Sequence, residues 1–466
     1  MALKDDLPSL VEHYKNNNPT LEHNHALFQI YEGDLLTYVL ADLRAQLSEK
    51  SYDQVKHRVA PINILKRIIS KLSNLYSKPP KRVLLGGNDR DQELLEFYQD
   101  SFEINSSMGI SNEFFNLFKN CALEPFLQNG VPKLRVVPSD RFLVYSDDPV
   151  NPLSVTHFIK IMGRKKRADK TVDVLYVYTD EEFLIIDSEG EIFTDLMVSM
   201  ELDGLNSYGK IPFVYVNRSK HDLIPTIDTD TITMTKLIPV LLSDINFAVM
   251  FQSFSIIYGI DLDEENLKFA PNAFWRFKSD PSRPDSTPSI GVIKPEVDTD
   301  KVLNLLQAQI SLWLHSRNIR PGAIGQLTAD SAASGVAKII DEMDTSEDRQ
   351  KQIAYFVEAE CRLWDLVFNS LHPVWFRDLE FEMKMKPTIG LKVVTKFPEQ
   401  RPMVDESKML DDQIKKIEKG LESPRGALKA LNPDWTDSEL DAKLVEISQF
   451  NLIEMDSLTS EATPFQ

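Results

Sequence analysis

Several side-chain groupings in this sequence are of types that do chemistry. His23-Asn24-His25 sets two imidazoles close together, the beginning of a metal site. A zinc site needs three or four ligands at defined spacing, and no cysteine or third histidine follows at one, so a surface histidine pair is the simpler reading. Cys121 and Cys361 stand far apart among apolar neighbours, which suits core thiols better than nucleophiles. Asp180-Glu181-Glu182 and Asp411-Asp412 offer carboxylates to a divalent ion, but acidic runs ordinarily face water. Arg164-Lys165-Lys166-Arg167 could meet a phosphate; at a hairpin tip such a run is more simply solvated. The sequence has no Gly-rich phosphate loop ending in Gly-Lys-Ser/Thr. No catalytic residue, metal site or cofactor site is assigned.

The stretch that rises above this background is Leu327-Thr-Ala-Asp330-Ser331-Ala-Ala-Ser334-Gly335-Val-Ala337. Small residues permit close backbone approach and several loop conformations, and 321–334 is longer than a connector between helices requires. Long helices are predicted on either side. The first, from Thr229 to about Ile256, has Leu237, Leu241, Ile245, Ala248, Phe251 and Phe254 at helical spacing, and Pro239 is expected to kink it. The second opens at the capping run Asp298-Thr299-Asp300 and aligns Val302, Leu306, Ile310 and Trp313. The third, from Ser334 to Leu371 with a stop at Pro373, would reach roughly 55 Å at about 1.5 Å per residue. Its polar block Asp344 to Gln352 is expected to mark a bend or an exposed face.

Between the first two helices lies an insert, 257–297, with the aromatic strand Phe274-Trp275-Arg276-Phe277 and a second strand, Ile290 to Ile293. Aromatics with an arginine suit an intersubunit or partner contact; packing within the insert is the equal alternative. Upstream, helices are expected over 30–80, most clearly Pro61 to Tyr76, whose Ile62, Leu65, Ile68, Ile69, Leu72 and Leu75 share a face. Another is expected from Asp91 to Phe118, after a turn at Gly86 to Asp89. From Pro132 the period changes to two. Short strands follow at 133–137, 141–145, 155–162, 171–178, 182–186 and 191–198, closed by 211–216, an antiparallel meander. Downstream, strands are expected at 381–385 and 389–394. Helices follow at Asp405 to Lys419, after Ser423-Pro424, and from the capping box Thr436-x-x-Glu439 to about Phe450. A polar, disordered end is expected after Met455.

The chain has 466 residues, 42% hydrophobic and 26% charged, with 52 Lys and Arg against 71 Asp and Glu and a net charge of −19. A protein that grips DNA carries the opposite balance, because affinity comes from neutralised phosphates. Two cysteines without a paired spacing suit a reducing compartment. The polar first fifteen residues do not read as a signal or transit peptide, and no apolar run approaches the roughly 18 residues that cross a bilayer. A soluble protein made in a cytoplasm is expected, with no membrane partner.

The order of these elements, with several short motifs, resembles the portal protein, or head-tail connector, of tailed bacteriophages. The motifs are Asn63 to Lys78 ending in Lys-Pro-Pro, Pro138-Ser-Asp-Arg-Phe-Leu-Val-Tyr-Ser-Asp-Asp-Pro149, and Val172 to Tyr178. Gly209-Lys-Ile-Pro-Phe-Val-Tyr-Val-Asn217, Leu242-Ser-Asp-Ile-Asn246 and Ser334-Gly-Val-Ala337 complete the set. The resemblance spans about residues 30–450. It implies an α+β portal-like fold: wing 1–228, first stem helix 229–256, clip 257–299, second stem helix 300–318, tunnel loop 319–334, long helix 335–371, wing return 372–403, and helical crown and tail 404–466.

It also implies a structural, non-enzymatic homo-oligomeric ring, usually a dodecamer, at a capsid vertex of the virion, assembled in the host cytoplasm. Double-stranded DNA would pass through it, unread in sequence, during packaging and ejection. Partners would be the large terminase motor, scaffold and major capsid proteins, and a tail adaptor. Arg320, Gln326, Leu327, Thr328, Asp330 and Ser331 would face the DNA, and Phe274, Trp275, Arg276 and Phe277 would contact a partner or neighbouring subunit. The acidic balance fits a lining along which phosphates slide without many contacts to break. The alternatives are a virion or interaction scaffold without a channel, and a metal-dependent nucleic-acid-processing enzyme.

Overall fold

A computed structural model describes residues 3–167, 170–253, 256–260, 289–293, 299–317, 335–379, 387–388, 390–398, 406–432 and 437–460. The chain is α+β, with long helices and antiparallel sheets. Its first element is one that the sequence reading did not anticipate: helix α1, Leu3–Glu32, which continues through Pro8 and Pro19. Leu3, Leu7, Leu10, Tyr14 and Leu21 are buried against the strand meander, while Leu27, Ile30 and Tyr31 are buried in a separate helical core. One helix thus braces two cores. Two prolines and a polar middle hid its three-and-four spacing.

The helical core collects α2 (Leu35–Gln46), α3 (Glu49–Val55), α4 (Leu65–Leu72), α5 (Asp89–Ser101) and α6 (Ile104–Phe118). The helix expected from Pro61 to Tyr76 is shorter, followed by one tight turn at Leu75–Ser77. Asn63 sets its start: the side-chain oxygen accepts from the Leu65 amide at 3.0 Å and the side-chain nitrogen donates to the Ile30 carbonyl. Ile62 therefore lies outside the helix, 50% exposed, rather than in the core. The single helix expected over 91–118 breaks at Glu103, whose φ of 44° lies in the left-handed region and turns the chain between buried Phe102 and Ile104. The turn expected before it is a capping box. Asn88 accepts from the amides of Arg90 and Asp91, and the Asp91 carboxylate accepts from the Asn88 amide.

Strands β2 (Asn120–Gln128), β3 (Val131–Val137) and β8 (Val214–Asn217) form one sheet in the order β3-β2-β8. Strands β4 (Phe142–Tyr145), β5 (His157–Arg167), β6 (Lys170–Tyr178) and β7 (Phe183–Asp187) form the meander in sequential order. β2 was not anticipated, and the strand expected at 191–198 is instead helix α7, Thr194–Ser199. Phe193 donates its amide to Ile185, ending the pairing, and buries its ring with Met197 one helical turn on. β1 (Lys81–Leu85) pairs with β11 (Lys392–Lys396), Arg82 opposite Thr395. The strand expected at 389–394 is thus shifted by a few residues, and that at 381–385 lies outside the described residues.

Helix α10 (Gly335–Leu366) does not stop before Pro373. A wider π turn, Val367–Leu371, carries it into α11 (His372–Trp375), where proline takes the opening turn and needs no amide donor. The later part of its polar block is buried rather than exposed: Asp348, Arg349 and Gln352 are 8%, 3% and 2% accessible. Gln352 accepts from Asn112 at 2.7 Å and Asn116 at 3.2 Å and donates to Asp348 at 2.6 Å, while Arg349 donates to the Leu75 and Pro398 carbonyls. Hydrogen-bond partners make that burial tolerable. Beyond lie α12 (Glu406–Glu418), closed by Gly420 at φ 67°, α13 (Pro424–Leu431), capped by Ser423, and α14 (Asp437–Ser460). α14 is helical past Met455, where disorder was expected; Thr436 lies outside the described residues.

Among the described residues, the most enclosed ionic contact joins α10 to the β1–β11 pair. Glu360 is inaccessible and accepts from Arg82 Nε at 2.7 Å and Nη2 at 2.9 Å, Tyr76 Oη at 2.8 Å and Thr395 Oγ1 at 2.8 Å. Removing one member leaves a charge buried without its partner, a loss of about 3–5 kcal/mol. Glu360→Ala is therefore expected to lower the denaturation midpoint sharply, and the paired change Arg82→Met with Glu360→Leu to recover much of the loss, as measured by urea melts followed by circular dichroism.

Candidate functional surface at the long-helix pair

Helix α8 (Thr229–Ser253) and helix α9 (Thr299–Ser316) are joined through an antiparallel ribbon of β9 (Ile256–Ile260) and β10 (Ser289–Ile293), Ile256 opposite Ile293. β10 coincides with the strand expected at Ile290 to Ile293; β9 was not anticipated. α8 continues through Pro239. Ser243 donates its hydroxyl to the Pro239 carbonyl at 2.6 Å and accepts the Ala60 amide at 3.2 Å, fastening the helix to the chain before α4. Lys236 pairs with Asp42 of α2 at 2.7 Å.

The inner face of α9 is the expected one. Trp313 and Leu314 pack with Ile68 of α4, joined by Ile310 and by Met234 of α8, and Leu306 is buried. On α8 Ile245 is buried as expected, together with Thr231, Thr235, Ile238, Pro239 and Ser243, whereas Leu237 and Leu241 are half-buried; the side chains of Ala248, Phe251 and Phe254 lie outside the described residues. The opposite side of α9 is bare: Leu305 and Leu312, seven positions apart, are 57% and 71% accessible, while Leu303 at the margin of the inner face is 36% accessible.

At the open end of the pair, Arg317 ties the end of α9 to the start of α8. Its Nη2 donates to Asp228 at 2.9 Å, Asp230 at 3.1 Å and Thr231 Oγ1 at 2.6 Å, and the guanidinium lies 5.6 Å from the Trp313 ring centroid. Lys119 stands 3.7 Å from Asp228. This clamp closes α9 onto the start of α8 immediately before residues 318–334. On the far side of that segment, α10 is held by the Gln352 network. The clamp thus fixes the approach to the expected loop from α9. Arg320, Gln326, Leu327, Thr328, Asp330 and Ser331 themselves lie outside the described residues, as do Phe274, Trp275, Arg276 and Phe277.

The other sequence candidates are accounted for singly. His23 and His25 do not share a ligand: His25 pairs with Asp140 at 2.9 Å, and burial lowers the pKa of His23 against the opposing pull of Asp228. Asn24 between them is buried on Ser139. The Cys121 thiol is a core group, its pKa pushed up to about 12 by burial. Cys361 is exposed, contrary to expectation, because its apolar neighbours turn to the opposite face of α10. Asp180 accepts the Ile211 amide and Glu182 accepts the Leu3 amide, so these carboxylates anchor backbone. The two arginines of the basic run are paired within the meander, Arg164 with Asp173 at 3.1 Å and Arg167 with Asp187 at 2.8 Å, while Lys165 and Lys166 are exposed, as a solvated hairpin end would be. Asp411 is exposed. Among the described residues, no helix is long and apolar enough to cross a membrane.

No protein-family model and no curated protein matches the sequence. Among solved structures, the chain is similar to one in the neck of an empty GTA particle computed with C6 symmetry, at 13% identity and a TM-score of 0.40, over 79% of this chain and 89% of that one. It is also similar to one in the virion of a native gene transfer agent particle, at 12% identity and a TM-score of 0.39, over 82% and 93%. Both likenesses are partial and carry no functional conclusion.

Charge-assisted hydrogen bonds contribute about 1.5–3 kcal/mol each when partly buried. Arg317→Ala is expected to leave the meander intact while backbone hydrogen exchange accelerates at 228–235 and 306–317, read by mass spectrometry. Unchanged exchange there would remove the clamp's role.

Proposed function

We propose that this chain is a ring-forming structural subunit at the head-tail junction of a phage-type virion, and that the ring is a conduit for double-stranded DNA. The observation that carries the reading is the two-sided character of α9. One face is buried on α8 and α4, and the opposite one exposes Leu305 and Leu312, two turns apart. A second copy laid against that face would cover the leucines. A surface that meets a different surface on the next copy closes into a ring when the rotation permits.

Other features support the same reading. The helix pair carries its strand ribbon at one end and the Arg317 clamp at the other, as a stem would between clip and tunnel loop. The sequence resemblance to portal proteins runs in the same order. A net charge of −19 per chain suits a lining that repels phosphate. In this reading the ribbon end meets the packaging motor or tail adaptor, residues 319–334 reach the DNA, scaffold and major capsid proteins surround the wing, and the chain has no catalysis of its own. A separate ATPase supplies the work.

Electron microscopy of the purified protein tests the ring: an annulus with a hole wide enough for duplex DNA is expected, and a solid or filamentous particle overturns the proposal. Leu312→Asp is expected to shift the population from rings to monomers by mass photometry, with an unchanged circular dichroism spectrum. Deleting 327–333 is expected to leave rings intact and to impair DNA packaging or retention; normal packaging would take the loop out of the mechanism.

A further inference from the structure

A site unrelated to the helix pair lies where α1 crosses the meander. His157, the first residue of β5, is 3% accessible, and its Nδ1 is 2.9 Å from Thr156 Oγ1. That hydroxyl already accepts the Asp147 amide at 3.0 Å and directs its proton to the Tyr145 carbonyl at 3.2 Å. It can therefore only accept from the ring. This places the proton on Nδ1 and leaves a lone pair on Nε2. Nε2 stands 3.5 Å from Asp6 Oδ2. One ligand atom each from Asp6, Asp147 and His157 lies within 4.8 Å of the others.

Three acceptors thus converge from three segments that sequence spacing could not connect: the first turns of α1, the turn after β4, and the start of β5. Atoms bound to one tetrahedral ion at about 2.0–2.2 Å stand ~3.4 Å apart. The Nε2 to Oδ2 distance is therefore long for a hydrogen bond and right for two ligands of one cation. We propose that Asp6, Asp147 and His157 bind a divalent transition cation, zinc foremost, with water completing its shell, and that the ion fastens α1 to the meander. An imidazole with two carboxylates selects zinc over the all-oxygen preference of magnesium or calcium. Thr156 fixes the ring as an outer-shell partner does. Asp147 is exposed and gives the ion a way in. The ion reinforces contacts that already hold this helix, Tyr14 to Asp173 at 2.9 Å and His13 to the Val144 carbonyl at 3.0 Å.

The test uses the tag-free full chain, stripped with chelator and titrated calorimetrically with zinc chloride and with magnesium chloride. One equivalent of zinc is expected to bind, far more tightly than magnesium, and to slow backbone hydrogen exchange over residues 3–14. Asp147→Asn, a change at an exposed turn, and Asp6→Asn are each expected to weaken zinc binding roughly tenfold or more. Equal binding by wild type and Asp147→Asn would place the ion elsewhere and overturn the site. Absence of saturable zinc binding to the wild type, or zinc binding without slower exchange at 3–14, would overturn it as well.

Discussion

The carboxylate of Glu360, sealed from water and accepting four hydrogen bonds, fixes where the longest helix lies against the rest of the protein. A buried charge is tolerated only when its lone pairs are met in good geometry. Arg82 from β1, Thr395 from β11 and Tyr76 from the turn after α4 must all arrive together, so the β1–β11 register and the axial position of α10 are set by one group. The Gln352 network two turns earlier extends the same constraint along α10.

The second organising element is α1, which puts one face into the meander and another into the helical core. Beside it, the β3-β2-β8 sheet packs on the meander through Ala122, Val137, Phe142, Phe158 and Tyr215. A brace of this length turns two modest cores into one body, on which the α8–α9 pair can be held by Ser243, Lys236 and Arg317.

Much of this was legible in the sequence where period and punctuation agreed. The strands from 133 to 186 are close to where alternation put them, although β3 and the closing strand β8 pair with β2 in a sheet of their own rather than with the meander, and the inner face of α9 follows from Val302, Leu306, Ile310 and Trp313. Signals failed where local and tertiary demands diverged. Prolines at 8 and 19 masked α1. A left-handed Glu103 split a helix that periodicity made continuous, and Phe193 and Met197 converted an apparent strand into a helical turn. The polar block of α10 read as solvent-facing because spacing cannot reveal that Asn112 and Asn116 wait for Gln352 from more than two hundred positions away. Of the candidate site, the sequence proposes a loop and an aromatic insert by composition, both outside the described residues, whereas the clamp at Arg317 and the convergence of Asp6, Asp147 and His157 exist only after folding.

The pairing of Tyr76 with Glu360 spans 284 positions of chain. A nascent polypeptide therefore carries β1 and the turn after α4 through most of its synthesis without their partners, and closing so long a loop is a slow, late event. Until β11 emerges, the edge of β1 and the underside of the helical core stay open to wrong pairings. The timing orders maturation: the surface built from α10 and the β1–β11 pair is finished only once β11 has been made.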